Sequence, residues 1–436
     1  MGYVSIFLGF AILIVLSLSN VSVYIGAVAA ALVVIFMNGL PFTETLFSDY
    51  FGAFGNIVKI MLPMYLSGAI LAKLYTKSGA ARVIADKICF VLMKGAKNDR
   101  QIYARGMLAV IVSSAILCYG GINAAVAIIT IYPIALQIFK TAGIPKRFIM
   151  GAICGGAFTF ALSGPGSPQP TNVVAMVIGT PAHCGLVAGL VGMLVEIVIM
   201  VLLLAKMCAK ATASGETFAY GPKDNGYEDN NKGPVFMVAL LPLIILLILF
   251  NVFSLNISVA AMLACILSAI LFSPYLRNGK ILDSINEGAV MSLLPAGAIA
   301  AVNGFAAVIR LTPEYNNIID GILGMDISPV LLLILTLAFI CSMTGGSTTG
   351  TQIALPVLAQ PLMNKGLSAV FIHRVGVYAS TTLDSLPHSG AIIMAVNVAD
   401  LKMREAYPAV FVTTVLATTV GTITVALVMK LLPFLP

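Results

Sequence analysis

Apolar stretches of membrane length alternate along the chain with short polar interruptions, and their lengths predict the elements. Residues 3–18 and 21–38 read as two spans joined at Ser19-Asn20; Gly39-Leu40-Pro41 opens a loop holding Glu44 and Asp49, and a third span covers about 56–71. Next comes a basic stretch from Lys73 to Arg105, in which Ala81, Val83, Ile84, Ile88 and Val91 recur at helical spacing. That pattern predicts an amphipathic helix lying on a surface. Residues 106–139 are apolar, basic at both ends and broken at Gly120-Gly121. Each half would be only about 25 Å long as helix, so a re-entrant hairpin with its tip near Gly121 and Asn123 fits better than two full crossings. A long segment over 148–179 breaks at Ser163-Gly-Pro-Gly-Ser167, and Cys184 to Ala205 returns with one acid, Glu196.

The polar stretch 212–233 is a linker, and beyond it the plan recurs. Spans at 234–251, 257–273 and 286–309 lead to an amphipathic segment at 314–324. A hairpin over 328–363 broken at Gly345-Gly346 follows, then a segment over 368–399 broken at Ser385-Leu-Pro-His-Ser389, and a last span at about 408–430. Both breaks read Ser-x-Pro-x-Ser. Pro63 and Pro295, Gly121 and Gly346, Gly143 and Gly366, and Ser163 and Ser385 are offset by 232, 225, 223 and 222 residues. The units are therefore duplicated, 1–211 and 234–436. Five crossings plus a hairpin is an odd count in each unit, so the copies lie inverted. The expected fold is an all-α polytopic membrane protein of two inverted repeats, each about five transmembrane helices plus one re-entrant helical hairpin, with discontinuous helices at the midplane, the signature of secondary transporters.

Composition agrees: 60% of residues are hydrophobic and 9% charged, a multi-span profile. Placing the basic loops inside accounts for 19 of the 24 Lys and Arg and leaves both termini outside. The net charge of +7 is thus loop charge at an inner membrane face, and no basic stripe interleaved with aromatics points to nucleic acid. The seven cysteines are odd in number and form no Cys-x-x-Cys, and His183, His373 and His388 are scattered. Neither a disulfide framework, a metal site nor an enzyme is indicated. No basic n-region precedes the first span, so a cleaved signal peptide is not expected.

Polar backbone at membrane depth requires protein or water around it, so the four interruptions form the candidate binding site. Helix N-termini restarting after each break would converge there, offering N–H groups and positive dipole ends to a small anion. Gly121, Asn123, Ser163, Ser167, Gln169, Asn172, Gly346, Ser347, Thr348, Thr349, Ser385 and Ser389 are the substrate-binding candidates. No Lys or Arg lies within the breaks. Asp384, directly ahead of the second break, with His388 four residues on, is the proton-coupling candidate, because a charge at membrane depth is costly and seldom idle. The first half has Leu162 and Gly166 there. Glu196, with no counterpart and no nearby break, reads as packing. A sodium-coupled carboxylate carrier and an anion channel stay open as alternatives.

The run Thr382-Leu-Asp-Ser-Leu-Pro-His-Ser-Gly-Ala391, the following Asp400-Leu-Lys-Met-Arg-Glu-Ala-Tyr407, and Gly345-Gly346-Ser347 with Ser163-Gly164-Pro165 resemble the gluconate permease family, nearest to its 3-hydroxybutyrate permease branch. The first break departs from the His-Pro-Gly-Pro-Thr form of gluconate carriers, reading Pro165-Gly-Ser-Pro-Gln-Pro-Thr171. The resemblance implies a bacterial inner-membrane symporter for small hydroxycarboxylates or sugar acids. It further implies proton coupling without a bound cofactor, a homodimer, and an elevator motion within the wider ion-transporter superfamily.

Overall fold

A computed structural model of the chain describes residues 2–19, 21–122, 124–222, 224, 233–276 and 280–432. All its regular elements are helices. The first half runs α1 (Gly2–Leu18), α2 (Val23–Asn38), α3 (Phe42–Lys77), the amphipathic α4 (Ala80–Met93), and α5 (Asp99–Tyr119) with α6 (Ala124–Ala142) as a hairpin. A broken helix follows, its first arm α7 over 146–163 and its second α8 (Pro170–Ala175), before α9 (Leu186–Ala213). The second half repeats this order. α10 (Phe236–Asn251), α11 (Ile257–Phe272), α12 (Lys280–Arg310) and the amphipathic α13 (Pro313–Leu323) lead to the hairpin α14 (Pro329–Thr344) and α15 (Ser347–Asn364). Its broken helix is α16 (Ala369–Ser380) and α17 (Gly390–Val398), and α18 (Met403–Leu431) closes the chain. Among the described residues six helices are long and apolar enough to cross a membrane. The fold is that of a polytopic membrane protein built from two inverted repeats.

One expectation is corrected. The third span begins at Phe42, not near 56, and takes in Glu44 and Asp49, which the sequence pattern placed in a loop. Pro41 occupies the position before its first helical residue, and a one-residue π widening over Thr45–Tyr50 carries it on into Phe51. Glu44, in the first turn, suits the positive end of the helix, and Asp49, about two turns in, is carried within it.

Corresponding helices of the two repeats pair across the molecule. α3 lies along α12, so close that a Cβ on Gly288 would stand 2.6 Å from the Cα of Ile70. α9 lies along α18, where Gly192 faces Val425 and Gly421 faces Glu196. Small residues allow these backbones to approach, which is how helices gain packing contact inside a lipid phase that offers no hydrophobic drive. Glycine also lets the first hairpin tip seat on α10: Gly120 meets Leu243, and Gly121, at φ +91°, meets Leu246.

Part of the linker is pinned on the basic face. Lys146 and Asp224 form an almost fully buried ion pair of 2.7 Å, and the Tyr132 hydroxyl donates to the same carboxylate at 2.6 Å. Arg147 pairs with Glu216 at 2.9 Å. Burial raises the Asp224 carboxyl, but hydrogen bonds from Lys146, Tyr132 and the Gly221 N–H outweigh that and hold it below the ordinary carboxylate range.

Candidate functional site

The two broken helices meet the hairpins in different ways. In the first break, between α7 and α8, five successive carbonyls are each taken by a donor, four of them by side chains. Ser163 O accepts from Arg374 Nη1 at 2.8 Å, Gly164 O from the Ser167 N–H at 3.3 Å, and Pro165 O from the Tyr119 hydroxyl. Gly166 O accepts from Asn251 Nδ2 and Ser167 O from Asn172 Nδ2, both at 2.9 Å. The Ser167 hydroxyl donates to Ala161 O, and Gln169 Nε2 donates to Cys118 O and Ile122 O at the first hairpin tip. Irregular backbone at membrane depth is thereby satisfied within the protein, as it must be where water is absent.

Arg374 is the centre of that arrangement. Fully buried on α16, it also donates to Cys184 O at 2.9 Å, Ala182 O at 2.7 Å and Asn172 Oδ1 at 3.4 Å. Its neighbour His373 bridges the Thr180 hydroxyl (2.6 Å) and Asn172 Oδ1 (3.1 Å). The breaks contain no cation of their own, as the sequence reads, yet a cation from the second repeat reaches into the first break. Ser163, Ser167 and Asn172 therefore serve this clamp and do not line the main cavity.

The second break, between α16 and α17, turns its side chains toward the second hairpin. Asp384 Oδ2 accepts from the Ser347 N–H, the first residue of α15, at 3.2 Å, and Oδ1 accepts from the Ser385 hydroxyl at 2.7 Å. Ser389 Oγ donates to Gly345 O at 2.8 Å. His388 Nε2 lies 2.7 Å from Ser342 O, an acceptor, so Nε2 carries the proton and Nδ1 of a neutral ring is free to accept. Gly345, at φ +63°, ends α14 in the left-handed conformation, and α15 starts two residues later. The repeats join at Thr171, whose hydroxyl lies 3.0 Å from that of Ser347 and 2.9 Å from that of Thr348.

Between these elements lies a cavity of about 380 Å³, within the range that holds small molecules. Of the residues singled out from sequence, Gln169, Gly346, Ser347, Thr348, Thr349, Asp384, Ser385, His388 and Ser389 line it. Gly121 lies instead beside a far smaller void it shares with Tyr65 and Gln169. Asn123 is outside the described residues. The opposite wall is apolar and comes from leading spans, with Leu13, Val23, Pro295, Ile299 and Val302. Sequence reasoning missed that wall, since nothing in an apolar span marks the face that meets a ligand. Arg374 did carry a signal: a charge six residues into a predicted helix.

No known family model matches the chain. It is 28% identical over 425 residues to an uncharacterized transporter, YxjC, of Bacillus subtilis (strain 168), spanning 87% of this chain and 88% of that protein. It is 25% identical over 356 residues to an uncharacterized transporter of Haemophilus influenzae, spanning 77% and 76%. Among solved structures it shares its fold with the YdaH transporter of Alcanivorax borkumensis, described as having an unusual topology, at a TM-score of 0.55, 15% identity and 89% coverage of both chains. Over most of its length, then, the chain resembles proteins named as transporters.

Proposed function

We propose that the protein is a secondary carrier that takes up a small hydroxycarboxylate or sugar acid, 3-hydroxybutyrate- or gluconate-like, together with a proton by alternating access in a bacterial inner membrane. The observation carrying this reading is the placement of Asp384 on the N-terminus of α15 inside the cavity. A helix N-terminus favours an anion, and here the protein's own carboxylate holds that place. A substrate carboxylate entering the same space would meet it at close range, where two like charges about 4 Å apart repel by roughly 4 kcal/mol at an effective dielectric of 20. A proton on Asp384 removes the repulsion and releases the Ser347 N–H to the substrate. Proton and anion then bind best together, which is the thermodynamic requirement for symport.

The hydroxyls of Ser347, Thr348, Thr349, Ser385 and Ser389 and the amide of Gln169 would read the substrate's hydroxyl groups, with His388 Nδ1 as an acceptor. The hairpins and broken helices would move as one body against the leading spans, in a homodimer. Cross-links from 234–273 to the broken helices should then stop transport. The decisive experiment is proteoliposome uptake of a panel of hydroxy acids under separately imposed proton and sodium gradients. Saturable uptake driven by the pH gradient is expected; uptake that follows sodium and ignores pH would overturn the coupling, and flux without counterflow would overturn the carrier.

A further inference from the structure

Glu196 lies outside the cavity and outside both breaks. It lies in the middle of α9, fully buried, and neither carboxyl oxygen has a hydrogen-bond partner. It faces α18 at Gly421, where a Cβ would come 2.5 Å from Oε1, so the absence of a side chain at 421 is what makes room for the carboxyl. One turn earlier on α9, Gly192 faces Val425 of α18 and the ring of Tyr378 on α16.

The polar and titratable groups on the surrounding elements are committed elsewhere. Tyr378 Oη donates to Gly189 O at 2.7 Å, and the Arg374 guanidinium, one turn before it, is spent on Ser163 O, Ala182 O and Cys184 O. Tyr119 of α5 holds Pro165 O, and His373 is engaged by Thr180 and Asn172. Cys118 of α5 and Cys154 of α7 are buried thiols. Thr418 and Thr422 of α18 return their hydroxyls to their own helix, at 2.9 and 2.8 Å. An ionised carboxylate would have no donor and no countercharge here, and removing such a charge from water unpaired costs several kcal/mol. The closed seam accommodates the neutral acid only.

We infer that Glu196 is a second proton-binding site, separate from the substrate cavity, which holds its proton while α9 and α18 are closed on each other at Gly421 and gives it up when that seam opens. The proton leaves as a carboxylate forms, and a solvated or Arg374-paired carboxylate requires either water in the seam or withdrawal of Arg374 from the first break. Unlike the carrier reading, this inference does not depend on the substrate, and its test needs none.

Infrared spectra of the purified protein in lipid at pH 7, where exposed carboxyls are ionised, should contain the C=O stretch of a protonated acid free of hydrogen bonds. The band should vanish in Glu196→Gln, persist in Asp384→Asn, and move without vanishing in Gly421→Ala, which presses on the carboxyl. As pH is raised and the band is lost, backbone hydrogen exchange across 186–213 and 403–431, corrected for its intrinsic pH dependence, should accelerate at least about tenfold in the wild type and stay flat in Glu196→Gln. Absence of the band at pH 7, a band indifferent to Glu196→Gln, or seam exchange equal in the two proteins at every pH would overturn the inference. Should Glu196→Gln fail to fold, the Gly421→Ala shift decides: no shift refutes the assignment.

Discussion

The two breaks carry the same Ser-x-Pro-x-Ser pattern and do opposite jobs. The first, Ser163 to Ser167, has its backbone carbonyls filled by side chains, with Arg374 at the centre. The second, Ser385 to Ser389, keeps its polar side chains for the second hairpin and the cavity. On the proposed carrier reading, the shared motif divides into an anchor and a working face. The lesson is that inverted repeats share a fold without sharing chemistry equally: what decides the role of each copy is which donors the other copy sends across the interface.

The strongest way to break this contrast is Arg374→Met. It strips donors from several buried carbonyls and should cost about 3–5 kcal/mol, read as loss of monodisperse protein or a large fall in melting temperature. Asp384→Asn, at the matching place in the other break, should instead leave a folded protein whose uptake under an imposed pH gradient falls by at least about tenfold, or about 1.4 kcal/mol. If that variant still concentrates substrate normally, the working face is not where the coupling lies. Thr171→Val sharpens the picture at the contact between halves. Losing hydroxyl contacts with Ser347 and Thr348 should cost about 1–2 kcal/mol, a roughly 5–30-fold weaker apparent affinity, measured by competition uptake.

The smallest effect belongs to the linker pin. Because the folded Asp224 carboxyl is held below its ordinary value, its contribution is fully present above the unfolded value of about 4 and fades as pH falls through the lower folded one. Asp224→Asn should therefore make the linker roughly two- to threefold more susceptible to protease at neutral pH, with the difference from wild type shrinking in acid.

Element order was legible because polar or Gly-rich interruptions separate the apolar stretches, and because the second half restates the first. The start of α3 was not, since Glu44 and Asp49 look like loop residues, and only Glu44 sits where a helix N-terminus accounts for it. Within the site, residues adjoining Gly-rich turns could be found from their polarity: Ser347, Thr348, Asp384 and Ser389 do face the cavity. Ser163, Ser167 and Asn172 have the same polarity but stay outside the cavity: the Ser163 carbonyl and Asn172 Oδ1 meet Arg374 and the Ser167 hydroxyl turns to Ala161 O, and no local pattern encodes a contact made across some two hundred residues. The buried state of Glu196 was equally hidden, because it depends on Gly421 in the other repeat.

The pin at Asp224 has a mechanical consequence. The chain is fixed there to the start of α7 and to α6, and Gly233 packs against Gly79 and against Val83 of α4. Fully extended, the intervening chain reaches at most about 30 Å. If the hairpin and broken helices move as proposed, that length limits their travel relative to the Gly233 seat, and shortening it should stall transport while leaving both end sites intact.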